Sequence, residues 1–404
     1  MKRYIVYVLP IAVVAVTAAV PVLYGDHPIN FDRAKSASTV LKPGAGTASA
    51  APTAQPGATA SAQPSADTGP KVAKPWQAGM PEWGIQVYWL DDPADADAYV
   101  QGKADRIVKY VVGLNANAIA VSFPFYTTGL RANAVSAHPT TPSPDRLGIL
   151  IDTARRAGLK VTVRPIMDEA ALDDPAGDWR GTIAPTDRDA WFGSYESFLQ
   201  PYLKSAQKHG AASFTIGTEF NSLESDAHWQ TLISDAKQVF HGDVGYDANW
   251  DNFTRGDIPV PAESQGVDAY FPAKSATDQS PVSTLVNSWN TWLDKKGKGP
   301  LPGVTLSEVG IPAQQGAYAK PGDFTTKRTV NEAVQAKWFT AVCQVAAQRQ
   351  LAGMYLWSLY FGTDPTLPVN DDTPRMDFAG RAQSEAAIRQ CFSGSYEVPE
   401  QPAG

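Results

Sequence analysis

From Trp83 to Phe392 the chain alternates short apolar runs with longer amphipathic stretches. Apolar runs of strand length bounded by turn residues read as buried strands, and apolar positions recurring every three or four residues read as helices. The pattern predicts strands over Gly84–Trp89, Ala118–Phe123, Lys160–Ile166, Ala212–Gly217, Val244–Ala248, Gly266–Tyr270, Gly303–Ser307 and Gly353–Trp357. It predicts helices over Ala96–Val112, Pro144–Ala157, Arg188–His209, Ala227–Phe240, Val282–Lys295, Val330–Gln350 and Arg381–Cys391. Phe253–Ser264 shows little helical period, so the fifth helix is the weak link. Alternating strand and helix units imply a parallel sheet, and eight such units in this length suit a single α/β domain, a closed (β/α)8 or TIM barrel.

The N-terminal residues follow a different logic. Lys2 and Arg3 precede a run from Tyr4 to Tyr24 that carries no charge. A basic start followed by an apolar stretch marks export, and the run approaches the ~20 residues that span a bilayer. Residues 1–25 are therefore a signal peptide or a membrane anchor, both readings remaining open. Ser36 to Lys74 is built almost wholly from Ala, Ser, Thr, Pro and Gly, a composition that cannot bury enough apolar surface to offset its ordering entropy. Residues 26–75 read as a disordered linker, 76–395 as the barrel and 396–404 as a flexible tail. The expected location is extracellular or surface-anchored, with a membrane tether through the N-terminal segment possible, and the protein is expected to be a monomer.

Composition removes several kinds of chemistry. A net charge of −7 over 404 residues leaves no basic surplus for nucleic acid. The five histidines, at 27, 138, 209, 228 and 241, form no His-x-His pair, which argues against a metal-dependent hydrolase barrel. There is no Gly-x-Gly-x-x-Gly loop, no Walker lysine motif and no Gly-x-Ser-x-Gly elbow. No metal and no cofactor are called for. Cys343 and Cys391 fall on helices that neighbour one another in a barrel, and in an exported protein they are expected to form a disulfide rather than remain free thiols.

In a (β/α)8 barrel, function gathers at the C-terminal ends of the strands. Reading those positions gives Trp89, Phe123 to Tyr126, Arg164 to Asp168, Glu219, Asp247 to Trp250, Tyr270, Glu308 and Trp357. Glu219 follows Phe214–Thr218 on the fourth strand and Glu308 follows Val304–Ser307 on the seventh. Two carboxylates aimed at one glycosidic bond are the machinery of a glycosidase: retaining at about 5–5.5 Å separation, inverting at about 6.5–9.5 Å. The plainer reading is that each glutamate merely forms an ion pair or caps a helix.

Five segments then occur in the order of one family: Trp179-Arg180-Gly181, Trp191-Phe192-Gly193-Ser194-Tyr195, Ile216-Gly217-Thr218-Glu219-Phe220, Val267-Asp268-Ala269-Tyr270-Phe271-Pro272 and Leu306-Ser307-Glu308-Val309-Gly310. From about Trp83 to Phe392 the chain resembles glycoside hydrolase family 113, retaining (β/α)8 enzymes with catalytic glutamates on strands four and seven. The resemblance implies Glu219 as acid/base, Glu308 as nucleophile, and a polysaccharide substrate of mannan-type β-1,4 chains. One departure stands out. The wider clan usually has Asn before the acid/base, where it meets the sugar 2-hydroxyl, and this chain has Thr218; Asn249 on the fifth strand is a candidate substitute.

Among the remaining strand-end residues, Tyr270 is placed to hydrogen-bond Glu308 or to serve as a core aromatic. Trp357 is either the floor on which a sugar stacks or barrel-top packing, since Trp pairs broad apolar area with an N–H donor. Trp89 and Trp250 are further platform candidates. Arg164 and Asp168 either bind sugar hydroxyls or pair with each other. Trp191, Trp229, Trp289, Trp292 and Trp338 lie on predicted helices and read as outer-layer packing. A non-catalytic polysaccharide-binding barrel, or a hydrolase tailoring the organism's own surface polymer, would share these features.

Overall fold

The computed structural model describes residues 69–168, 172, 178–323 and 325–400; the signal or anchor segment and all but the end of the linker lie outside them. Nine strands are β1 (Glu82–Tyr88), β2 (Ala118–Thr127), β3 (Val135–Ser136), β4 (Lys160–Asp168), β5 (Ser213–Thr218), β6 (Asp243–Asn249), β7 (Ser264–Asp268), β8 (Thr305–Gly310) and β9 (Gly353–Tyr360). Eight of them pair in parallel around a ring that β1 closes against both β2 and β9. β3 is a two-residue antiparallel addition to the upper end of β2. The barrel is thus the closed (β/α)8 architecture expected.

The helices are α1 (Asp97–Gly113), α2 (Pro144–Arg156), α3 (Arg188–His209), α4 (His228–Val239), α5 (Trp250–Phe253), α6 (Val282–Leu293), α7 (Glu332–Arg349) and α8 (Ala382–Ser393). Local chemistry sets their ends. The Ser143 hydroxyl accepts from the Arg146 N–H with Pro144 at the first helical position, and Asp187 accepts from the Ala190 N–H. Gly210, at φ +68°, stops α3 in the left-handed conformation that glycine adopts without strain. α5 is a single turn, so the poor period after the fifth barrel strand reflects a helix that the fold lacks.

Strand residues alternate between barrel interior and helix-facing shell. On β1 and just past it, Ile85, Val87 and Trp89 join the large core between sheet and helices, whereas Tyr88 belongs to a separate apolar cluster with Ile166, Trp357 and Met376. The helical tryptophans pack as expected: Trp289 and Trp338 lie 5.0 Å apart, and Phe271 stacks on Trp292 at 4.8 Å. Cys343 on α7 and Cys391 on α8 are disulfide-bonded with Cα atoms 5.7 Å apart. A loop of 48 residues closed in this way stabilises the fold by about 4 kcal/mol in the loop-entropy picture.

Two boundaries differ from expectation. The folded part starts before residue 76, because the Val72 N–H donates to Ala157 O at 2.8 Å and the Lys71 ammonium donates to Arg156 O at 2.7 Å. At the other end residues 396–398 are held, not loose: the Tyr396 hydroxyl donates to Leu351 O at 2.8 Å and the Val398 N–H to Gly79 O at 2.9 Å. Short segments that gain a few backbone partners escape a composition-based reading. No helix among the described residues is long and apolar enough to cross a membrane.

Candidate active site

β5 ends at Thr218, and the next residue, Glu219, takes φ +55°. A left-handed conformation strains a residue with a side chain and persists only where its surroundings enforce it. Here the Glu219 N–H donates to Asp247 O at 2.8 Å and the Phe220 N–H donates to the Tyr246 hydroxyl at 3.0 Å. Tyr246 in turn donates to Glu224 Oε1 at 3.1 Å, and Asn252 Nδ2 donates to Glu224 Oε2 at 2.8 Å. This chain of bonds pins the corner and aims the Glu219 side chain. Its Oε2 accepts from Arg180 Nε at 3.0 Å and Nη2 at 2.9 Å, while Arg180 Nη1 also donates to Met167 O at 3.2 Å.

Glu308, on β8, is fixed from two sides. Oε1 accepts from Arg164 Nη1, and Oε2 accepts from the Tyr270 hydroxyl at 2.6 Å. Arg164 rises from β4 and spends its remaining donors on two more acids. Its Nε reaches Asp247 Oδ2 at 2.7 Å, and its Nη2 reaches both oxygens of Asp268 at 2.8 and 2.7 Å. Asp247 Oδ1 accepts from the Ser307 hydroxyl at 2.6 Å. Gly266 makes that bond possible, since a Cβ there would lie 1.9 Å from Ser307 Oγ and 2.2 Å from Asp247 Oδ1.

The two glutamates are 5% and 4% exposed respectively, so their neighbours act with little solvent screening. Burial is the largest influence on Glu219 and lifts its pKa above the ordinary carboxylate range; Arg180 pulls it down and the Glu308 charge pushes it up. Burial disfavours the Arg164 cation, but Asp268, Glu308 and Asp247 together hold it protonated well above its usual value. Burial, followed by the adjacent Glu308, likewise keeps the Tyr270 phenol protonated. One carboxylate therefore has both oxygens filled by a guanidinium and a phenol, an arrangement suited to an anion. The other is biased toward carrying a proton.

The remaining candidates divide. Asn249 ends β6 with its side-chain oxygen accepting from the Asp251 N–H at 3.3 Å, and its Nδ2 has no partner among the described residues. Asp168 is buried at the end of β4, where its charge raises the Tyr88 pKa behind the larger effect of burial. Arg164 does not pair with Asp168, and at 1% exposed it lies beneath Glu308 rather than open to sugar hydroxyls. Residues four apart on a strand share a face but stand about 13 Å apart along it, so the sequence neighbours cannot meet.

The tryptophan platforms need revision. Trp89 is 1% exposed, stacked on Phe361 at 4.0 Å with its Nε1–H directed to Asp91 Oδ1 at 3.3 Å. It falls on the outward parity of its strand and is packing. Trp357 faces the barrel interior but is only 2% exposed, tilted against Tyr88 at 5.6 Å. Its Nε1 is buried without a partner among the described residues, as is Thr218 Oγ1. Trp250 sits half-buried on α5, outside the ring of carboxylates. Arg180, Asp247, Asp268, Tyr246 and Glu224 carry much of the site's geometry without having been singled out. Arg180 and Asp268 lie within the family-like segments and Asp247 at a strand end, whereas Tyr246 and Glu224 carry no signal in the sequence.

A closed (β/α)8 barrel with two buried glutamates above its fourth and seventh strands defines a glycoside hydrolase. The sequence profile of Glycoside Hydrolase Family 113 matches residues 92–365, and the chain belongs to that family. Among solved structures, a GH113 β-1,4-mannanase matches with a TM-score of 0.63 at 19% identity, covering 78% of this chain and 99% of its own. A GH113 β-mannanase from Alicyclobacillus acidocaldarius in complex with ManMIm matches with a TM-score of 0.61 at 20% identity, covering 78% of this chain and 98% of its own. No curated protein sequence matches the chain.

Proposed function

We propose that this glycoside hydrolase cleaves mannan-type β-1,4 chains with retention of anomeric configuration. The observation that carries the reading is the opposite setting of the two glutamates: Glu308 accepts from Arg164 and Tyr270, whereas burial and the Glu308 charge raise the Glu219 pKa. A pair of carboxyl groups driven apart in this way divides into nucleophile and acid.

In the first step a Glu308 oxygen attacks the anomeric carbon. The bond to the departing sugar oxygen breaks, and that oxygen takes the proton of Glu219. In the second step Glu219, now an anion, takes a proton from water as the water oxygen attacks the same carbon and the bond to Glu308 breaks. Arg180 fits both stages, because its guanidinium stabilises the Glu219 carboxylate that the first step creates. Asn249 Nδ2 serves the sugar 2-hydroxyl in place of the amide that Thr218 lacks. The similarly folded family members, a β-1,4-mannanase and a β-mannanase, support the choice of polymer. Enclosed Trp89 and Trp357 rings weigh against a purely binding barrel, which would need open platforms. The N-terminal residues 1–25 support an exported enzyme, free or tethered at the cell surface.

Proton NMR of mannohexaose during its first turnovers tests the mechanism. The β-anomer should form first and then mutarotate; an α-anomer first would rule out double displacement. Reducing-end release from mannan, xylan, β-glucan and the organism's own exopolysaccharide tests the polymer, and inactivity on mannan beside activity on another would move the assignment.

A further inference from the structure

Where the barrel would carry its fifth outer helix, this chain has only the turn of α5 and the irregular segment 254–263. One flank of α6 is left beside the rim, and a groove of about 510 Å³ opens between α6, Trp250 and the segment after β7. That volume lies within the ~300–1,000 Å³ of small-molecule sites. Phe271, buried and stacked on Trp292, lies at its base, and half-buried Trp250 lines it. Asn287, Thr291 and Lys295 also line it; their four-residue spacing sets them one above another on α6 and the turn that follows it. Lys274 comes from the segment after β7. Among the described residues neither the Lys274 nor the Lys295 ammonium has an ion-pair or hydrogen-bond partner.

We propose that this groove binds a saccharide unit bearing a carboxylate, a uronate, outside the catalytic centre. The half-buried Trp250 ring, over the buried Phe271, suits the apolar C–H face of a sugar ring. The Asn287 amide suits its hydroxyls, the Thr291 hydroxyl, which donates to Asn287 O at 2.7 Å, can accept from one, and the Lys274 and Lys295 ammonium groups suit a carboxylate. The chain as a whole carries −7, so the cationic character is local to the groove. Trp250 directly follows Asn249 and Phe271 directly follows Tyr270, so the groove begins one residue outward from the site.

The assignment stands apart from the catalytic reading because its test reads binding alone. The full chain is titrated at low salt with β-1,4-linked mannuronate trimer and with β-1,4-mannotriose, using calorimetry and tryptophan fluorescence. The acidic trimer should bind more tightly by about tenfold, as two partly exposed ion pairs allow. The Lys274→Gln/Lys295→Gln double variant should lose that preference, and Trp250→Ala should weaken the acidic trimer. An affinity for the acidic trimer that is the same in the double variant as in the parent would overturn the proposal. Displacement of the acidic trimer by sodium acetate at equal concentration would reduce the groove to a bare anion site and overturn it as well.

Discussion

The tops of β8 and β5 each present a buried glutamate to an arginine, and they are built in opposite ways. Glu308 stands within β8, at a register shift against both adjoining strands, and takes its hydrogen bonds from Arg164 on β4 across the barrel and from Tyr270 just past adjacent β7. Arg164 is itself shared among three carboxylates, so that end of the site is a rigid ionic lattice. Glu219 stands on a strained corner and takes its hydrogen bonds from Arg180, which lies outside the barrel strands on a short 3-10 turn, Arg180–Thr182. A nucleophile must stay in place as an anion. An acid/base must gain and lose a proton in every turnover, and a single partner from a connecting segment perturbs it less than a lattice would.

Glu308→Gln should cost on the order of 10⁵-fold or more in kcat, as removal of a covalent nucleophile does. Glu219→Gln should cost about 10²–10⁴-fold on mannan, and much less on an aryl glycoside whose leaving group needs no proton. Recovery by the Glu308 variant instead of the Glu219 variant would reverse the assignment. Tyr270→Phe comes next: loss of one bond to a charged partner should lower kcat by about 10- to 100-fold with KM little changed. A kcat within twofold of the parent would leave Tyr270 a packing residue.

Arg180→Gln sharpens the contrast through pH. Arg180 lowers the Glu219 pKa against the larger effect of burial, so its removal should move the basic limb of the kcat/KM profile to higher pH. An unmoved or lowered limb would show that Arg180 does not govern the proton on Glu219. Tyr246→Phe should have the smallest effect. It removes one acceptor from the Phe220 N–H and one donor from Glu224, worth about 1 kcal/mol or roughly fivefold in kcat. Unaltered kcat would mean that the Asp247 carbonyl alone fixes the corner.

The barrel was legible because its strands are buried on both faces, and a run such as Ala118–Val121 needs no alternation to be recognised. The upper strand ends were not. β2 continues to Thr127, β4 to Asp168 and β9 to Tyr360, where buried polar side chains interrupt the apolar pattern. Glu219, Glu308 and Tyr270 could be chosen by their distance past a strand. The ion lattice could not, since Arg164 reaches partners 83, 104 and 144 residues along the chain. Local spacing suggested Asp168 instead. Trp89 was misplaced by one residue of parity: Tyr88, its neighbour, is the aromatic that joins the interior cluster beside Trp357.

The bonds that tie down Lys71 and Val72 also set an orientation. Both meet the end of α2, and Lys160, which begins β4, lies over the Trp76 ring at 4.1 Å. The chain therefore comes in at the floor of the barrel, the end from which the strands depart. Glu219 and Glu308 lie at the roof. The entering chain and the carboxylates thus occupy opposite ends of the barrel, and the described N-terminal residues leave the strand ends that carry Glu219 and Glu308 unobstructed from that side.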